Sequence, residues 1–107
     1  MDVFECIVTI VDGRYSEYVV DAAKSVGAKG ATIVNARGSV SQENESFYKL
    51  NIQPDKQIIL MLCKSEQTKS IVEAINEKAG LITKAHALSF VLPVEEAVGM
   101  AEIFKSK

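Results

Sequence analysis

Ala31-Thr32-Ile33-Val34-Asn35-Ala36-Arg37, then the polar stretch GSVSQENESFYKLNIQP (Gly38–Pro54), then Gln57-Ile58-Ile59-Leu60-Met61-Leu62-Cys63-Lys64 is the passage whose reading decides the fold. The two outer runs carry the β-branched and apolar residues of strands. Adjacent strands are normally joined by roughly two to five residues. The connection here, at about residues 38–55, is several times longer. A small domain keeps such a loop when the loop has recognition work to do, or when it is disordered. Its polar composition points to recognition by a loop more than to a buried catalytic cleft.

Working outward, VFECIVTIV (residues 3–11) reads as a first strand, closed by the Asp12-Gly13 turn. Ser16 is placed to cap a helix over 17–26, with Tyr18, Val19, Ala22, Ala23 and Val26 at helical spacing and Gly27 as the stop. After the second strand (31–37), the loop and the third strand (57–64), Ser65 is placed to cap a second helix over 66–79. Ile71, Val72, Ile75 and Ala79 form its apolar stripe, and Gly80 ends it. A fourth strand is expected over 86–92, running into Pro93, and VEEAVGMAEIFKSK reads as a short C-terminal helix. The order is βαββαβ: an α+β, ferredoxin-like sandwich with an antiparallel four-stranded sheet and both helices on one face.

A sheet with one bare face should alternate apolar and polar residues. The third strand does not, because Ile58, Leu60 and Leu62 oppose Ile59, Met61 and Cys63. The fourth sets Leu88, Phe90 and Leu92 against Ala87 and Val91. Apolar residues on both faces imply that a neighbouring subunit buries the second face; the competing reading has the terminal helix cover it.

All 107 residues fit one domain, and 48% hydrophobic with 24% charged residues is ordinary globular composition. A net charge of −2 supplies no basic field for nucleic acid. The longest apolar run, Ile58–Cys63, falls far short of the roughly 20 residues that span a bilayer. The segment from Met1 to Glu5 has neither the basic start nor the apolar core of a signal peptide. The expectation is a soluble, cytoplasmic protein.

No catalytic constellation is visible: a single histidine, His86, and no HExxH, GxSxG, CxxC or P-loop pattern. The chain is therefore not expected to be an enzyme. Glu95 and Glu96 read as solvated charges at the start of a helix. Cys6 and Cys63, each inside an apolar strand, read as core thiols, and no metal site is expected. Arg37-Gly38-Ser39 carries more weight, since a glycine turn with free amides beside an arginine suits an anion such as phosphate. By itself that turn is equally the exit from strand to loop.

The segments VGAKGATIVNARG (Val26–Gly38), Pro54 before the third strand, and FVLPVEEA (Phe90–Ala97) resemble the P-II signalling family, the nitrogen regulatory protein P-II and its relatives. The likeness runs through nearly the whole chain in order. It implies a homotrimer of ferredoxin-like subunits that binds adenine nucleotides (AMP, ADP or ATP, with cyclic dinucleotides among relatives' ligands) in clefts between subunits. The long loop, the family's T-loop, then docks on a regulated target such as a membrane transporter or an enzyme. Matched to the family, Thr32 and Met61 stand near the base, and Gly38 and Ser39 approach the phosphates. From the neighbouring subunit, Thr83-Lys84-Ala85-His86-Ala87 takes the place of the second nucleotide loop. Arg37, Lys84 and the backbone around Ala85–Ala87 are the remaining candidates for phosphate contact, and Phe47, Tyr48 and Lys49 are partner-binding loop residues.

The departures are specific. Where the family reads like GKIGDGKIFV, this chain has LITKAHALSFV, with Leu88 in place of the phosphate-binding lysine; where it continues RIRTGE, this chain has GMAEIFKSK. The loop is shorter, Val40 replaces its second glycine, and these losses count against a triphosphate clamp and against uridylylation of Tyr48. The sequence reading is a divergent P-II-like regulator. The alternative is a constitutive trimeric partner-binding module with a degenerate nucleotide site. A metal-binding trimer of the divalent-cation-tolerance kind is weakened by the lone histidine.

Overall fold

The computed structural model describes residues 3–37, 56–80, 83 and 85–98. Four strands, β1 (Phe4–Asp12), β2 (Thr32–Ala36), β3 (Lys56–Lys64) and β4 (Leu88–Val94), form one antiparallel sheet in the order β2-β3-β1-β4. Two helices, α1 (Ser16–Ser25) and α2 (Ser65–Ala79), cover one face of it. This is the expected βαββαβ, ferredoxin-like α+β arrangement, with a 3₁₀ turn at Gly13–Tyr15 leading into α1.

Register explains which apolar residues become core. The β1–β3 pairing sets Ile7 opposite Met61, Thr9 opposite Ile59 and Val11 opposite Gln57. Because strand side chains alternate, these pairs share the helix-facing side. There Ile7, Val11, Ile59, Met61 and Cys63 pack with Val19 and Ala23 of α1 and with Ile71, Ile75 and Ala79 of α2. Buried Thr9 sits among them with its hydroxyl 2.8 Å from that of Ser89 across the β1–β4 pair.

Several boundaries differ from expectation for identifiable reasons. Ser16 and Ser65 are the first residues of their helices, not caps. The Ser65 amide donates to Val3 O at 2.7 Å, and Gln67 Oε1 accepts from the Lys64 amide at 3.3 Å. Tyr18 and Val26 stand outside the α1 core stripe and are exposed. The fourth strand begins at Leu88, because His86 has φ 50° and cannot continue a strand. It runs on through Pro93 to Val94; β4 is an edge strand, where a residue without an N–H costs no ladder bond. The terminal helix does not start at Val94, since residues 95–98 are exposed and irregular; residues 99–107 lie outside the described set.

Gly27 closes α1 at φ +110°, with its amide donating to Lys24 O at 3.1 Å and the Ala28 amide to Ala23 O at 3.0 Å. A side chain is strained there whatever the space around it. Gly30 has an ordinary φ and open space where a Cβ would stand. Gly27→Ala is therefore expected to destabilise the fold by about 1 kcal/mol or more in urea unfolding, while Gly30→Ala stays within about 0.5 kcal/mol.

Candidate functional site

The face of the sheet away from the helices is mainly apolar. Register puts Thr32, Val34, Ile58, Leu60, Leu62, Cys6, Val8, Ile10, Leu88, Phe90 and Leu92 on it together. On β4 the exposures reach 52% for Leu88, 43% for Phe90 and 48% for Leu92. Contiguous exposed apolar surface of this kind marks an interaction face.

Thr32 opens β2 opposite Leu60, on the rim of a groove of about 450 Å³ lined by Cys6, Gly30, Ala31, Thr32, Leu60 and Leu62. The walls are mainly apolar, so the groove suits a flat ring or an apolar side chain better than a charged group. Met61 is not part of it. Its parity on β3 turns it to the helix side, where it is 1% exposed in the core, on the opposite face of the strand from the groove. Arg37 follows the last residue of β2, five positions and roughly 16 Å of strand from Thr32. Gly38, Ser39, Phe47, Tyr48, Lys49 and Lys84 lie outside the described residues.

The turn after α2 is closed on itself. The Thr83 hydroxyl donates to Gly80 O at 2.7 Å and accepts from the Ala85 amide at 3.2 Å. The His86 amide donates to Thr83 O at 3.3 Å, and the Ala87 amide to Ala79 O at 2.7 Å. Ala85 and Ala87 bury their methyl groups in the core, while the His86 ring is exposed. All three amides offered by sequence as phosphate donors are thus already committed, and each would have to surrender an internal bond to meet an anion. The turn also leads into β4, at the opposite edge of the sheet from β2 and Arg37. Three inter-strand spacings, roughly 14 Å, separate these edges, so no single subunit assembles Thr32, Arg37 and the Thr83–Ala87 turn into one site.

What sequence reasoning missed lies where the long connection leaves the sheet. Asp12, buried at the end of β1, pairs with Lys56 at the start of β3. It accepts from the Arg14 backbone amide (2.9 Å), Nε (3.0 Å) and Nη2 (2.7 Å). That fork holds the Asp12 carboxyl down at about 2, against the upward push of burial. Beside it, the Ser16 hydroxyl donates to Gln57 Oε1, and Gln57 Nε2 donates to Asn35 Oδ1 at 2.8 Å. The Asp-Gly-Arg turn was a readable local signal for the first cluster. The second joins residues 22 and 41 positions apart, and no local pattern reports it.

The cysteines point to opposite faces. Cys63 faces the core, its thiol pushed up by burial and 3.3 Å from the Thr68 hydroxyl, which donates to Glu5 Oε1 at 2.6 Å. Cys6 is half-buried on the open face, and both thiols are free. Among the described residues, no cluster of His, Cys, Asp and Glu could hold a metal ion, and no helix is long and apolar enough to cross a membrane.

The profile of the family described as Nitrogen regulatory protein P-II matches residues 4–101. The chain belongs to the P-II family. Its members are signalling regulators, not enzymes. Solved structures agree with the fold. Arabidopsis thaliana PII bound to citrate is 24% identical with TM-score 0.66, covering 86% of this chain and 78% of that one. A PII-like signalling protein from Thermus thermophilus is 21% identical with TM-score 0.65, covering 88% and 91%. CPII from Thiomonas intermedia, bound to ADP, AMP and acetate, is 16% identical with TM-score 0.64, covering 92% of each. No curated protein matches the chain.

The P-II subunit should lose stability in acid through Asp12. Its folded pKa of about 2 lies below the ordinary 3.8, so the bonus is complete above pH 4 and disappears as pH falls through 2. Because Arg14 is largely exposed, the expected size is about 1 kcal/mol, and Asp12→Asn should flatten that part of a stability–pH profile measured by denaturant unfolding.

Proposed function

We propose that this chain is a non-enzymatic, cytoplasmic P-II-like signalling subunit that works as a homotrimer. The observation that carries the reading is the separation of the candidate elements onto opposite edges of a sheet whose open face is mainly apolar. Copies that bury their open faces against one another bring the β2 edge of one subunit towards the β4 edge of the next. Thr32 and Arg37 then meet the Thr83–Ala87 turn of a neighbour in a cleft, and the base of an adenine nucleotide lies against the apolar groove beside Thr32. The connection 38–55 leaves from the same end of the sheet and, through Phe47, Tyr48 and Lys49, docks on a regulated partner such as a membrane transporter or an enzyme.

The chemistry of the cleft favours ligands with few phosphates. Arg37 and Lys84 are the cations the family resemblance assigns to it, alongside Gly38 and Ser39 at the loop base, while Ala85, His86 and Ala87 have committed their amides. Every additional buried phosphate charge without a partner is costly. AMP, or a cyclic dinucleotide with its charge spread over two diesters, fits this supply better than ATP. The same committed amides favour a second reading, a constitutive trimeric docking module whose nucleotide site is degenerate.

Two measurements test the proposal. Leu60→Glu puts a charge on the open face without entering the helix-side core, and light scattering should then give the monomer mass where the wild type gives a trimer. A wild-type monomer, or a Leu60→Glu trimer, would sink the assembly. Calorimetric titration with AMP, ADP, ATP and cyclic dinucleotides should rank AMP or a cyclic dinucleotide ahead of ATP. Binding of none of them leaves the docking-module reading standing.

A further inference from the structure

The side-chain ladder Ser16–Gln57–Asn35 belongs neither to the hydrophobic core nor to the proposed cleft. Gln57 is the second residue of β3, its backbone lies opposite Val11 of β1 and Asn35 of β2, and its parity turns the side chain to the helix side. An amide side chain has one oxygen that accepts and one nitrogen that donates. Here the oxygen takes the Ser16 hydroxyl proton at the start of α1, and the nitrogen donates to Asn35 Oδ1 one residue before the end of β2. Ser16 is 4% exposed, and its hydroxyl also lies 3.2 Å from Gly13 O, so its single proton is shared between the 3₁₀ turn and Gln57. No other side chain described here bonds to both α1 and β2.

We propose that Gln57 is a positioning residue that couples the first turn of α1 to both stems of the 38–55 connection. A displacement of the stems that parts Asn35 from Gln57 frees the Gln57 amide to turn and weakens its hold on Ser16. Loss of the Ser16 bond in turn releases the amide that fixes Asn35. Coupling of this kind is reciprocal. It makes the surface around the start of α1, where Arg14 and Tyr18 are exposed, responsive to the position of the stems. It is a property of the described stems and does not depend on nucleotide binding.

Hydrogen exchange of the full chain, read amide by amide, tests the coupling. Ser16→Ala should speed exchange in the stems, at residues 33–37 and 56–59, about fivefold, the change expected from one lost hydrogen bond. Asn35→Ala should do the same in the first turn of α1, at residues 16–20. Gln57→Leu removes both bonds, so by itself it should speed exchange in the stems and in the first turn of α1 together. In a Gln57→Leu background, Ser16→Ala should add nothing in the stems. Effects confined to the element that carries each substitution would overturn the proposal. So would a uniform rise that includes the β1–β4 pair, which reports general loss of stability.

Discussion

The antiparallel pairing of β1 with β3 is the constraint on which the rest of this subunit depends. Both strands are central, so their register decides which half of a largely apolar set of side chains meets the helices. Ile7 opposite Met61 and Thr9 opposite Ile59 place one set in the core. The other set, Cys6, Val8 and Ile10 with Ile58, Leu60 and Leu62, is left on the open side. A slip of one residue would exchange the two sets, and because both are apolar, hydrophobicity alone penalises the slip weakly. The polar members of the core side supply the discrimination. Thr9 meets Ser89, Gln57 meets Ser16 and Asn35, and the Glu5 carboxylate meets Thr68, each in one register only.

That constraint links packing to function. Burying the helix side completes a subunit; it does nothing for the open face, which remains a surface in need of a partner. The edges of the sheet inherit the consequence. β2, which leads to the long connection, and β4, which follows the Thr83–Ala87 turn, lie too far apart to act together within one copy. The turn before β4 is closed on itself: its amides serve its own residues, and Ala85 and Ala87 anchor it in the core.

Much of the fold was legible because it rests on local pattern. Strand runs rich in Ile and Val, the Ile71–Ile75–Ala79 stripe and the glycines after each helix are signals that neighbouring residues carry together. The misreadings are equally physical. Tyr18 and Val26 have helical spacing and fall off the core stripe, because where α1 sits on the sheet is settled by packing against α2. His86 reads as the start of a strand, and its positive φ belongs to a turn held by hydrogen bonds to Thr83 and, through Ala87, to Ala79.

By itself, the sequence determined the order of elements, the family, and the presence of apolar residues on both faces of the central strands, because periodicity and composition are written in consecutive residues. Only the tertiary structure decided which face is core, that the amides of Ala85, His86 and Ala87 are spent, and that Gln57 joins α1 to the stems of the long connection. Those facts depend on partners such as Ser16 and Gln57, 41 positions apart, and on a register that only the closed sheet defines.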